Sequence, residues 1–234
     1  EKINMRSYGD KPAEFLEKVP GGFLPAIELD GELVTDSLPI MQLLDVTYAD
    51  RGPRMVPPPG SDERARGLKL LRLERELFRD WCTLTFQPGQ GIFGAHAKAF
   101  LATLRRVDAE LGADERSVWF LGGEAPSLVD LQYVSHVERM VASVAFWKGI
   151  RIRDEAAFPN LEKWLRAFEE RPAYLATKSD VYTHVMDIPP QYGPGYGVAE
   201  ADEYAKAITG RAGLSWSLPL RLADPLGVDR LPPK

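Results

Sequence analysis

The chain carries one cysteine, Cys82, in 234 residues. That excludes an internal disulfide and fits a reducing compartment, either the cytoplasm or an organelle interior such as the chloroplast stroma. Its three histidines, His96, His136 and His184, are scattered, and no zinc-finger, H-E-x-x-H, P-loop or G-x-S-x-G spacing occurs, so metal and serine-hydrolase chemistry have no support. Neither sign of charge dominates: 29 Lys and Arg stand against 34 Asp and Glu, which leaves no electrostatic footprint for nucleic acid or an anionic membrane. No apolar run approaches the length of a membrane span, and no signal-peptide pattern opens the chain. The composition, 44% apolar and 27% charged, is that of a soluble globular protein, and the length suits one large domain or two ordinary ones.

The most informative stretch runs from Leu24 to Ser37. Ala26, Ile27 and Leu29, then Leu33 and Val34, have the alternation of two short strands. Asp30-Gly31 between them is a hairpin signal, because both residues tolerate positive φ. Ser37 reads as an N-cap, with Pro39 tolerated in the first turn of the helix that follows over 38–48. Upstream, residues 1–8 read as a strand, and 12–18 as a short helix with Phe15 and Leu16 facing inward.

This β-α-β-β-α order, with "LPAIELDG" followed by "TDS", resembles the glutathione transferases, whose N-terminal domain is thioredoxin-like. The resemblance implies that Pro25 follows a cis bond and that Leu24 offers its backbone N–H and C=O to the cysteinyl unit of glutathione, the co-substrate. It implies that Asp36 faces the γ-glutamyl ammonium while Ser37 and the helix N-terminus hold the carboxylate, a placement favoured by the unsatisfied donors and partial positive charge there. Three departures stand out. Asp36 replaces the family's usual Glu, Val19-Pro20 replaces an Asn-Pro, and Phe23 is apolar near where several classes place a Lys for the glycyl carboxylate; Lys11 and Lys18 are the cations at hand. By the same resemblance one βα unit, about 25 residues at average element lengths, precedes Glu1 and carries the catalytic Tyr, Ser or Cys. The catalytic residue is thus unknown within these residues.

The expected architecture is an α/β thioredoxin-like domain at 1–50, a Pro/Gly-rich linker at 51–61, an all-α helical domain at 62–178, and a Pro/Gly/aromatic tail at 179–234. Four helices are written in the spacing of Leu70, Leu73, Leu77 and Trp81; Phe100, Leu104, Val107 and Leu111; Val134, Val137, Val141 and Val144; and Leu161, Leu165 and Phe168. Ser127 and Asp130 form a capping-box pattern, and losing the Asp130 carboxylate is expected to cost about 1 kcal/mol, more if the helix end is buried. With the blocks "FLGGEAPSLVDL" and "FPNLEKWLRAFEERPAY" the resemblance covers most of residues 1–178. In the tail, 188–197 forbids regular structure, 198–209 is helix-like with Gly210 as its stop, and Leu214, Trp216, Leu218, Leu220 and Leu222 alternate. So apolar a tail is expected to pack on the helical domain or a partner.

Two patterns are decoys. Residues 89–94, GQGIFG, match a dinucleotide fingerprint letter for letter but read as a connection between helices rather than a strand-to-helix turn. Arg64, Arg66, Lys69, Arg72, Arg75 and Arg79 alternate with acids and read as a solvated helix face or subunit contact. Cys82 reads as a small buried hydrophobe and His136 as a hydrogen-bonded packing residue. Trp81 and Phe86 are the electrophile-site candidates, with core packing as their alternative role. The function implied by the resemblance is conjugation of glutathione to a small electrophile in detoxification, or glutathione-dependent thiol transfer, by a homodimer. The alternative is a non-catalytic binding or assembly subunit on the same fold. No metal, nucleic acid or membrane span enters either reading.

Overall fold

The computed structural model describes residues 11–88, 91 and 93–210. The expected strand at 1–8 and the alternating stretch at 214–222 lie outside these. The chain divides into two compact units, 1–64 and 65–234.

The first unit runs α1 (Ala13–Lys18), β1 (Ala26–Leu29), β2 (Glu32–Thr35) and α2 (Ser37–Thr47). Pro12 is the N-cap of α1, where its fixed φ suits a helix start. Phe15 is only half-buried and Leu16 is exposed, so the inward pair expected there is not formed among the described residues. Antiparallel β1 and β2 pair from Ala26 with Thr35 to Leu29 with Glu32. The two-residue turn has φ 52° at Asp30 and 85° at Gly31, which only residues tolerant of the left-handed region supply.

Asp45 is one of three buried residues described in this unit, beside Val19 and Ile40. Its carboxylate accepts from Arg54 Nε at 3.0 Å, Met55 N at 2.6 Å and Val56 N at 3.3 Å. The Pro-rich segment after α2 is therefore tied back onto the helix that precedes it. Asp45→Ala is expected to cost the unit about 2–3 kcal/mol, because two half-buried backbone donors and Arg54 lose a buried charged acceptor. Proteolytic clipping at 51–60, measured against the parent, checks this: cleavage as slow as in the parent would refute it.

The second unit is helical: α3 (Asp62–Phe86), α4 (Ala95–Leu111), α5 (Leu128–Lys148), α6 (Pro159–Glu169), α7 (Pro172–Thr177), α8 (Val181–Asp187), α9 (Pro189–Tyr192) and α10 (Asp202–Ile208), the last entered through a 3₁₀ turn at Ala199–Ala201. The four apolar spacings found in the sequence fall on α3 to α6. Helix α5 differs from an amphipathic helix in being buried on most of its circumference, including Val137, Val141, Ala142 and Val144, as befits the centre of a bundle. Each large apolar side chain fully buried against it contributes about 1.5–3 kcal/mol. Two of the polar groups carried into this core find partners there: Tyr133 Oη donates to Leu70 O at 2.7 Å and Trp81 Nε1 to Ser143 Oγ at 2.8 Å.

Residues 179–210 pack on this unit, with Val181, Val185, Ile188, Ala207 and Ile208 buried in its core. Within 188–197, expected to be irregular, Pro189 opens the single turn α9, since a first-turn proline forfeits no helical hydrogen bond. The chain then runs across two helix ends, with Tyr196 N donating to Thr85 O and Val198 N to Trp147 O, both at 3.0 Å. Gly195 lies so close to Trp147 that a Cβ on it would sit 2.2 Å from the indole.

Candidate functional site

The hairpin register brings the sequence-selected residues of the first unit together. Because Ala26 is paired with Thr35, the residues just beyond the open end of the ladder, Leu24 and Pro25 on one side and Asp36 and Ser37 on the other, leave the same end of the hairpin. The Leu24–Pro25 bond is cis. All four residues are exposed, so the site opens to solvent.

At the helix start, Asp36 rather than Ser37 is the N-cap. Its carbonyl accepts the first intrahelical bond, from Ile40 N at 3.1 Å, and its carboxylate accepts from Leu38 N at 3.4 Å. Ser37 moves to the first helical position, which places its hydroxyl beside N–H groups that have no partner within the helix. Asp36 holds φ 75° and ψ 133°, a left-handed φ unusual for a non-glycine residue and of the kind that concentrates at ligand sites. The arrangement combines peptide edges at an extended turn, a carboxylate, a hydroxyl and a helix N-terminus, and so suits a zwitterionic amino-acid end attached to an extended peptide.

The surrounding charges are partly committed. Lys18 Nζ lies 2.6 Å from Glu28 Oε2, and their hydrogen bond raises the lysine and lowers the carboxyl from their ordinary values. Phe23, next to Leu24, is 75% exposed.

The side chains selected in the second unit take other roles. Trp81 is fully buried with its indole N–H committed to Ser143, so it is a core residue and not a wall open to an electrophile. Phe86 is half-buried, stacked on Tyr192 at 5.7 Å and edge-on to Trp81 at 5.4 Å. Burial pushes the Cys82 thiol up to about 11, which removes it as a nucleophile at neutral pH. His136 Nδ1 lies 2.7 Å from buried Glu74 and its ring packs on Phe78. Three arginines of α3 form ion pairs with acids: Arg75 with Glu74, Arg79 with Asp80 and Arg66 with Glu110. The GQGIFG segment joins α3 to α4, helix to helix, and only its Gly91, Phe93 and Gly94 are described. Among the described residues no group of three or more His, Cys, Asp or Glu is placed to hold a metal ion, and no helix is long and apolar enough to cross a membrane.

The capping pair is more elaborate than the sequence implied. Asp130 Oδ2 accepts from Ser127 N at 2.8 Å and Ser127 Oγ at 2.6 Å, while Oδ1 accepts from Phe120 N at 3.1 Å and Trp164 Nε1 at 2.9 Å. Burial raises its carboxyl from the ordinary value, against the pull of these donors. Two interactions were missing from the sequence reading: the Trp164 contact and the cluster of Arg153 with Glu162 and Glu169. A buried indole needs an acceptor, and that rule is the only signal that pointed to the first.

Comparison with known proteins bears on both units. The family described as "Glutathione S-transferase, N-terminal domain" matches residues 2–53, and "Glutathione S-transferase, C-terminal domain" matches 63–167. "Protein IN2-1 homolog A" of rice is 27% identical over 172 residues, 73% of this chain and 66% of that protein. "Glutathione S-transferase L3" of Arabidopsis thaliana is 29% identical over 185 residues, 77% of this chain and 72% of that protein. The chain thus spans about two thirds of the length of the first of these relatives. Among solved structures, a tau class glutathione S-transferase from mango superposes with a TM-score of 0.67 at 19% identity, covering 76% of this chain and 81% of that one. The fold is a small α/β thioredoxin-like unit followed by a mostly helical one.

Proposed function

The chain belongs to the glutathione transferase family, and from that premise we propose that its hairpin-end site binds glutathione for conjugation to a small electrophile or for thiol transfer. The observation that carries the reading is the register that sets the cis Leu24–Pro25 bond and the Asp36–Ser37 helix start at one end of one hairpin. In this reading the Leu24 peptide groups hold the cysteinyl unit in an extended, strand-like pairing. Asp36 faces the γ-glutamyl ammonium, and Ser37 with the first N–H groups of α2 holds the adjacent carboxylate. These residues bind and orient the thiol. In conjugation, the sulfur donates an electron pair to the electrophile, a C–S bond forms, the thiol proton is released, and the leaving group or π electrons accept the charge. Thiol exchange would instead break one S–S bond as another forms. The homodimer is part of the same proposal, and sedimentation of the full chain tests it.

Calorimetric titration with glutathione tests the site. The parent protein is expected to bind, and Ser37→Ala to bind about ten- to a hundredfold more weakly, as the loss of a hydrogen bond to a charged group implies. Because Ser37 is exposed, the variant should melt like the parent. Failure of the folded parent to bind glutathione would overturn the reading.

A further inference from the structure

Leu68, Leu71, Arg72, Arg75, Glu76 and Arg79 of α3 line a cavity of about 520 Å³. Their spacing sets all six on one face of the helix. Among the described residues the cavity is walled by α3 alone, so it is a groove along the helix rather than an enclosed pocket. Its floor is apolar, with Leu68 exposed and Leu71 half-buried. Its rim is cationic. Arg75 and Arg79 are 54% and 67% exposed, whereas the acids they bind, Glu74 and Asp80, are 2% and 12% exposed. Each acid thus lies behind its guanidinium, and the positive ends are left outward. Glu76 is held by Arg106 at 2.6 Å, and the exposed side chain of Arg72 is bound to none of the described residues. Arg75 is fixed in place: Nε and Nη2 donate to the two oxygens of Glu74, each at 2.6 Å, and the guanidinium lies 4.7 Å from the centre of the Phe78 ring. It is therefore positioned before anything docks, with N–H donors left for a second carboxylate.

We infer that this groove docks an acidic amphipathic helix of another protein, with apolar side chains over Leu68 and Leu71 and carboxylates on Arg72, Arg75 and Arg79. Charge selects the sign of the partner, and the length of the stripe selects its form. Arg72 and Arg79 stand about 10 Å apart along the axis at about 1.5 Å per residue, so carboxylates one turn apart on a facing helix meet successive guanidiniums. A small anion would reach only part of the row, in a groove too open to enclose it. A second copy of the chain docked by the same stripe about a two-fold axis would set these arginines against themselves, and that like-charge contact disfavours it.

Fluorescence anisotropy of a labelled synthetic helical peptide, with leucines and glutamates on one face at the spacing of the stripe, tests the inference on the full chain at low salt. Micromolar binding is expected, weakened about tenfold in Arg72→Glu and about fivefold in Leu68→Gln. Raising the ionic strength should weaken it further, and a peptide with glutamine in place of each glutamate should not bind. No binding by the parent, unchanged binding by Arg72→Glu, or equal binding of a peptide of the same composition in scrambled order would overturn the inference, the last by reducing the contact to net charge. Sedimentation of the free chain identifies the competing occupant: self-association of the parent that is lost in Arg72→Glu would assign the stripe to a second copy and overturn the inference too. Arg72 and Leu68 are exposed, and thermal melts matching the parent's keep misfolding out of the comparison. Glutathione enters none of these readouts, so their outcome is independent of the proposed function.

Discussion

Asp130→Ala is expected to lower the stability of the helical unit by about 3–5 kcal/mol, one of the two largest single-residue effects in the molecule. The reason is the number of donors that meet on one buried carboxylate. The Phe120 amide and the Trp164 indole N–H are both buried, and Ser127 brings its N–H and hydroxyl to the other oxygen. Removing the acceptor strands the first two without access to water, at about 1–3 kcal/mol each, and also unties the start of α5. Asp130→Asn keeps one oxygen but turns an amide donor toward a pair of donors, so it should fall between Ala and the parent. Urea titration followed by far-UV circular dichroism measures the loss as a lower midpoint at unchanged slope. A loss near 1 kcal/mol, which an exposed cap would give, would show that the Phe120 and Trp164 bonds contribute nothing.

Arg153→Met should cost a comparable 3–5 kcal/mol, or about that, because it leaves two carboxylates without their shared partner. The guanidinium is 3% exposed. It donates through Nε and Nη2 to the two oxygens of Glu162, at 2.9 and 2.7 Å, and through Nη1 and Nη2 to Glu169. Arg153→Lys should lose part of this, since a single ammonium cannot serve both carboxylates as a planar fork does. The pH profile carries a second signature. Burial alone would raise the Glu162 carboxyl, but the hydrogen bonds and charge of Arg153, then those of Arg166, hold it below the ordinary 4.5. A depressed folded value means the parent has this contribution in full above about pH 4.5 and loses it on acidification through the folded value. In Arg153→Met the burial is no longer offset to the same degree, and protonation relieves the buried charge. The gap between variant and parent should therefore narrow as pH falls from 7 to 4. Parallel stability curves over that range would refute the assignment.

These clusters also show where sequence reading stops. The hairpin was legible because Asp30-Gly31 has a local conformational requirement, and the helices because apolar spacing repeats within each one. The cis bond before Pro25 followed only from resemblance, since nothing in Leu24-Pro25 alone distinguishes the isomers. The cap at α2 was displaced by one residue: serine is a common N-cap, and the positive φ that gives Asp36 the position cannot be read from an aspartate. Trp81 illustrates the opposite limit, as its spacing put it on the buried face of α3 while its aromatic character suited a ligand wall. Burial and the Ser143 hydrogen bond decide for the core. Arg153, Glu162 and Glu169 stand nine and sixteen residues apart, and such pairings depend on how a turn and a helix fold back, which periodicity does not encode.

The family match ends at residue 167, yet the carbonyls that close α3 and α5 receive their donors from Tyr196 and Val198. A ribosome delivers a chain from its first residue to its last, so one last-turn carbonyl of each of the two longest helices gains its donor from a segment made well after them. A nascent chain halted before residue 196 is therefore expected to leave these two carbonyls without their donors until the residues beyond α8 are made.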